Sequence, residues 1–305
     1  MTFVRPSARY HGQIQTVHLG TDRLPVGGQL SFNLHDFEGR NPNPPRFSLD
    51  VWDIDPAEEL PAALKTAFSG LTHDPGLWAG KCVEYGADLI TLHLKSSSPS
   101  NQNLGADQAV ASVRRVLENI ELPLMVIGVD YPDKDVETLS AVAEEFSGRN
   151  LTLGPVTARN YKRLGAQVLV HGHSLIALSP TDFNLAKQLN ILLYGLGLPK
   201  DRIIMDPTAA ALGYGMEYCY SVMEQLRLAA LLLDDQDAQQ PIVSFFGEDI
   251  WRSKEATENA DPSAGVMLET VEAVAMLVAG ADILCLRHPE ALKNAKQFLE
   301  MMNRD

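Results

Sequence analysis

Cysteine is scarce in this chain. Cys82, Cys219 and Cys285 lie far apart and form no C-x-x-C pair. Such a set excludes a disulfide framework, and a four-thiolate iron–sulfur or zinc site cannot be assembled from this chain alone. Long apolar runs are missing too: the longest candidate, Ala273 to Leu286, is broken by Asp282 and is too short to read as a membrane span. The opening Met1-Thr2-Phe3-Val4-Arg5-Pro6 has no apolar leader stretch. Basic residues are few, 25 Lys plus Arg against 39 Asp plus Glu, for a net charge of −14. A chain this acidic is poorly suited to gripping a phosphate backbone, which needs clustered bases. The expectation is a soluble cytoplasmic protein with neither nucleic acid nor membrane as a partner.

What is present is ordinary globular material, 305 residues with 45% in the hydrophobic class, enough for a sizeable core. From residue 46 onward, short apolar runs alternate with helical patterns. The strand candidates are Arg46–Trp52, Ala87–Leu94, Pro123–Val129, Asn150–Gly154, Ala166–Val170, Arg202–Asp206, Pro241–Phe246 and Ala281–Leu286. Most are almost wholly apolar, as strands buried on both faces should be. Between them, Ala106–Ile120 repeats Val110, Val113, Leu117 and Ile120 at helical spacing, and a helix follows Ser179 as N-cap with Pro180 in its first turn. The last helix opens at Pro289. Tyr85-Gly86-Ala87-Asp88, Leu164-Gly165-Ala166-Gln167 and Ala279-Gly280-Ala281-Asp282 share one pattern, a helix end with glycine leading into a strand. Eight such units predict an α/β fold, a (β/α)₈ TIM barrel over 46–305, preceded by an N-terminal extension over 1–45. Within that extension, Ile14–Leu19 and Gln29–Leu34 alternate as a hairpin across one barrel mouth.

Barrel enzymes and binders place their sites at the C-terminal ends of the strands. Those ends read Asp53, His93, Asp130, Gly154, His171 with His173, Asp206, Gly247 with Glu248, and Arg287 with His288. The two histidines are read as hydrogen-bonding groups at a strand end rather than as ligands of a shared ion. No G-x-S-x-G marks a hydrolytic serine. The most distinctive segment runs from Asp206 through Thr208 to Gly213-Tyr214-Gly215 ahead of a helix. Two readings stand side by side: a backbone that approaches a flat or anionic ligand, and a loop that needs glycine for its turns. The charged loop Gly247–Ser263 carries Trp251, which has two readings, an anchor for a partner and a ring packed down on the barrel beneath a solvated loop.

Several segments together are similar to one family. They are Phe37-Glu38-Gly39, Asp74-Pro75-Gly76-Leu77-Trp78-Ala79-Gly80-Lys81-Cys82-Val83, Ser179-Pro180-Thr181-Asp182-Phe183-Asn184 with Lys187 to Leu192, Asp206-Pro207 to Tyr218, and Arg287-His288-Pro289-Glu290. In this order they resemble the small subunit of the corrinoid iron–sulfur protein, the delta subunit of the acetyl-CoA decarbonylase/synthase complex. One departure is Thr208-Ala209-Ala210-Ala211, where relatives carry more glycine.

The resemblance implies a barrel related to dihydropteroate synthases and pterin-dependent methyltransferases. It implies a non-catalytic subunit that shelters a corrinoid (cobalamin) shared with a large subunit, the iron–sulfur cluster lying on that partner only. It implies methyl transfer from methyltetrahydrofolate, through a separate methyltransferase, to acetyl-CoA synthase. The expected cofactor contacts are Asp206, Thr208, Gly213, Tyr214, Gly215, His171 and Asn184, with no catalytic residue and no metal ligand. The alternative is a pterin-using enzyme with Asp130, Asn184 and Asp206 around the ring.

Overall fold

The structure is a computed structural model and describes residues 6–302 apart from Asp36, Ala57 and Ala260. The expectation drawn on Met1 to Arg5 therefore falls outside the described residues. Eight parallel strands form the barrel: β3 (Arg46–Trp52), β4 (Leu89–His93), β5 (Leu124–Ile127), β6 (Thr152–Val156), β7 (Ser174–Leu178), β8 (Ile203–Asp206), β9 (Val243–Phe245) and β10 (Ile283–Leu286). Ladders join β8 through β3 in order, then β3 to β10 and β10 to β9. A bridge between Met205 and Ile242 closes the circle from β8 to β9.

Helices α1 (Ala62–Ala67) and α2 (Pro75–Glu84) follow β3, and α3 (Ala106–Leu117), α4 (Pro132–Glu145), α5 (Tyr161–His171), α6 (Phe183–Gly195) and α7 (Met216–Leu232) follow β4 to β8 in turn. After β9 the chain forms α8 (Gly247–Arg252), α9 (Lys254–Thr257) and α10 (Ser263–Ala279), and α11 (Pro289–Met302) follows β10. The segment read as a charged loop is thus two short helices. The cap of α2 is legible in sequence: Asp74 accepts from the N–H groups of Gly76 and Leu77 at 2.9 and 3.3 Å, with Pro75 in the first turn. The cap of α6 is Asp182, not Ser179; its carboxylate takes the N–H groups of Asn184 and Leu185, while Thr181 sits at a φ of 40°.

The fifth strand was misplaced by the apolar pattern. Ala166–Val170 lies inside α5, and the strand is Ser174–Leu178. Leu164 and Val168 face the core, but Leu169 and Val170 are exposed, so apolar residues on both faces of one helix imitate a buried strand. The glycine repeat is real but sits at Gly172 rather than Gly165. Gly86, Gly172 and Gly280 end their helices at φ values of 86, 75 and 112°, a conformation a Cβ disfavours. The acids that follow pin the next layer: Asp88 accepts from Phe47 N at 2.8 Å and Asp282 from Ile242 N at 2.7 Å.

A hairpin does cross one mouth, with arms β1 (Thr16–Leu19) and β2 (Leu24–Gly27); the second arm falls before the expected Gln29–Leu34. Val17, Leu19 and Val26 are fully buried against Leu89, Met125, Ile176, Ile204, Val243 and Ile283, the lower side chains of the barrel interior. The hairpin therefore plugs the N-terminal end with an apolar layer and leaves the opposite mouth open for chemistry.

Candidate functional site at the open barrel mouth

Alternation along β3 sends Ser48, Asp50 and Trp52 into the barrel, while Phe47, Leu49 and Val51 meet the helices. A polar ladder results on one wall. Ser48 Oγ lies 2.7 Å from Thr91 Oγ1, Asp50 Oδ2 is 3.3 Å from His93 Nε2, and the Arg287 guanidinium lies over the Trp52 ring at 4.4 Å. At the rim, Glu248 bridges Lys95 and Arg252, both at 2.6 Å. Burial pushes the Glu248 carboxyl up, but Lys95, His93 and Arg252 outweigh it and hold it below the ordinary range. Asp53 accepts the Ser96 N–H at 2.8 Å and is also bonded to the Ser96 hydroxyl.

The opposite wall is apolar, formed by Ile127, Pro155, Ile176, Leu178 and Phe245 around a cavity of about 440 Å³. Asp130 and Asp206 meet this cavity. Asp206 is buried, and its Oδ1 accepts the Thr208 N–H at 2.8 Å; burial and the nearby Asp130 carboxylate push it up to about 7.

Beyond Asp206 the chain makes the loop singled out in the sequence. Thr208 sits at a φ of 72°, Gly213 at 84° and Gly215 at 114°, so the loop needs its glycines for conformation. The space above Gly213 is open, with nothing within 4 Å of where a Cβ would stand. Glu272, fully buried on α10, accepts the Leu212 N–H at 2.6 Å. Tyr214 is exposed and its hydroxyl donates to Glu255 at 3.0 Å. The neighbouring β7–α6 loop is tied on by Ser179 N to Asp206 O and Thr181 N to Pro207 O, at 2.9 and 3.0 Å. Asn184 stands exposed in the first turn of α6, beyond that loop.

The structure thus brings Asp206, Thr208, Gly213, Tyr214 and Gly215 together on one loop and sets Asn184 on the adjoining rim. His171 is a correction. It is the last residue of α5, hydrogen-bonded to Ser147, and leads into the start of β7 at the plugged end of the barrel. Its placement followed from the misread strand. His173 is buried beside it, held between Leu151 N and Ala143 O. Trp251 follows the second of its two readings: it is 2% exposed, stacked on His288 at 5.6 Å, and packed on Gly265. Asp50, Glu269 and Glu272 were missed. The signals were available: an acid alternating inward on an apolar strand, and the only two charges on α10. The two oxygens of Glu269 accept from Arg287 N and His288 N at 2.6 and 3.0 Å.

Comparison with solved structures supports the architecture. Dihydropteroate synthase from Xanthomonas albilineans, solved with 4-aminobenzoic acid, aligns with a TM-score of 0.63 at 17% identity, covering 95% of this chain and 99% of that one, a likeness of fold. Curated relatives are closer in sequence. The acetyl-CoA decarbonylase/synthase complex subunit delta of Methanothermobacter thermautotrophicus is 34% identical over 99% of this chain and 79% of its own length. That of Methanopyrus kandleri is 33% identical over 92% and 71%. Residues 16–300, from the plugging hairpin to α11, match the model of one family. By that match and those identities, this barrel belongs to the CO dehydrogenase/acetyl-CoA synthase delta subunit family.

Proposed function

We propose that the chain serves as the delta subunit of an acetyl-CoA decarbonylase/synthase complex, its open mouth laid against a corrinoid carried with a large subunit. The observation that carries this reading is the Asp206–Gly215 loop. Its base is fixed by two buried carboxyls, Asp206 and Glu272, while Gly213 turns bare backbone toward open space at the mouth. A firm base under a bare outer surface suits close approach by a flat ring.

The residues fit such a group as a cover, not as an enclosure. A corrin ring with its side arms is too large for a cavity of about 440 Å³ and would lie across the mouth. Thr208 Oγ1 is buried without a hydrogen-bond partner among the described residues, and the Asn184 amide is exposed on the next rim. Both match the amide arms of a corrin, and Tyr214 supplies an aromatic edge. A bound corrinoid supplies the methyl-accepting centre. The chain's own residues hold the ring edge, exclude water along the wall of Ile127, Leu178 and Phe245, and leave the iron–sulfur cluster to the partner. The methyltetrahydrofolate methyltransferase and acetyl-CoA synthase would then meet the assembled pair in turn.

A second reading, a pterin-using enzyme, draws on Asp130 and Asp206 meeting one cavity. Asn184, the third residue it needs, is not among those lining that cavity. Co-expression with the large subunit tests both. A red complex of the two chains, with no binding of 6-methylpterin to this chain by calorimetry, is the expected result. A chain that binds 6-methylpterin and leaves the large subunit unbound would overturn the first reading.

A further inference from the structure

Helix α10 is built inside out. Its charged side chains, Glu269 and Glu272, are both fully buried; Glu269 accepts backbone N–H groups of the mouth with both oxygens and Glu272 accepts one with Oε2. Met267, Val271 and Val278 face outward instead, 61, 45 and 40% exposed. With the half-buried Val274 they repeat at spacings of four, three and four, one stripe along the helix. A surface helix ordinarily shows the reverse. Single exposed apolar residues need no explanation, but a charge-free stripe along a whole helix marks a contact surface.

Charge selects the occupant. On the helices packed beside α10, six exposed acids (Glu217, Glu224, Asp249, Glu255, Glu290 and Glu300) outnumber four exposed bases (Lys65, Arg252, Lys254 and Lys293). On a chain of net charge −14, a second copy would bring acid against acid at the rim of the same stripe. The relatives are named as subunits of a complex, and a different chain with basic residues around an apolar helix face meets both features. We propose that the outer face of α10 docks such a helix of the large subunit, an inference that rests on the function proposed above. Because Glu272 and Glu269 tie α10 to the Leu212 loop and to the start of α11, this contact also braces the mouth from behind.

The test is titration calorimetry of the intact chain with the purified large subunit. Val271→Glu and Val278→Glu change exposed positions of a helix that tolerates glutamate at least as well as valine, and melting curves verify their fold. Ile191→Glu, on the exposed face of α6, is the control. The expected result is binding about 10- to 100-fold weaker for both α10 variants, unchanged for Ile191→Glu, and weaker for wild type as salt rises. Wild-type affinity in both α10 variants would overturn the docking site while leaving the function intact. Failure of the wild-type chain to bind the large subunit would overturn the function itself. Self-association of the wild-type chain that Val271→Glu abolishes would assign the stripe to a second copy and so overturn the assignment to the large subunit.

Discussion

The Glu272 carboxyl and the Leu212 N–H meet at 2.6 Å, so a helix on the flank of the barrel holds the loop that crosses its mouth. Glu272→Ala leaves that N–H without its buried acceptor, and the expected cost is about 1–3 kcal/mol of unfolding free energy. Glu272→Gln keeps an oxygen in place and should cost less. Denaturant midpoints give the energies, and hydrogen exchange at the Leu212 amide shows whether the loop opens locally or the whole fold loosens.

Stability should fall as pH rises above neutral. Burial pushes Glu272 up to about 8, with Asp249 and Glu269 adding to it, and pushes Asp135, Asp206 and Glu269 up to about 7. In the unfolded chain such carboxyls titrate near pH 4. Between those limits the folded state binds more protons, so unfolding free energy decreases with pH; the contribution is complete below about pH 4 and gone above about pH 8. His173 and His288 act oppositely, because burial lowers both, but their effect ends near pH 6.5. From about pH 6.5 to 8 the acids act without that opposition. Melting temperature should drop across that window, and Glu272→Gln should flatten its upper part; a flat wild-type profile would contradict the assignment.

Arg227 and Asp282 form a fully buried ion pair at the plugged end, and the guanidinium also donates to Gly280 O at 2.8 Å and Gln240 O at 3.2 Å. Removing either partner strands the other charge. Asp282→Ala should cost about 3–5 kcal/mol, and it also frees the Ile242 N–H that sets the start of β9. Chemical denaturation of the variant checks the figure.

The barrel was legible because seven of its eight strands fall on segments read as short, mostly apolar runs between turn residues, the pattern of strands buried on both faces. The exception has a local cause. Leu169 and Val170 put apolar surface on the solvent side of α5, and that misreading carried His171 to the wrong end of the molecule. The loop residues from Asp206 to Gly215 were legible because positive φ calls for glycine and a strand-end acid stands out. For Glu269 and Glu272 the sequence marks the positions but not the roles, which depend on which loops α10 passes. That is tertiary information, and sequence shows only that an apolar helix keeps two acids. The two readings of Trp251 stayed open for the same reason: charged neighbours in sequence say nothing of the Gly265 notch that receives its ring.

Trp251 accordingly gives a prediction of the opposite kind from an interface anchor. Its ring fills the space over Gly265 and stacks on His288. Trp251→Ala should cost about 3–5 kcal/mol of stability. Affinity for the large subunit, measured below the melting transition, should change little. Large loss of affinity in a variant of wild-type stability would return the residue to the interface.

Gly213 separates backbone conformation from backbone approach. At a φ of 84°, Gly213→Ala should cost about 1 kcal/mol from conformation alone, since nothing within 4 Å obstructs the added carbon. Asparagine tolerates the left-handed region far better than alanine, so Gly213→Asn should restore much of that stability while still placing a side chain on the outward face of the loop. If the loop lies against a corrin, Gly213→Asn lowers corrinoid retention in the two-chain complex although its melting temperature stays near wild type. If the glycine serves only the turn, both properties recover together. Visible absorbance per complex and melting temperature, read on the same samples of Gly213→Ala and Gly213→Asn, decide between them. Full corrinoid occupancy in a stable Gly213→Asn complex would remove this loop from the contact surface.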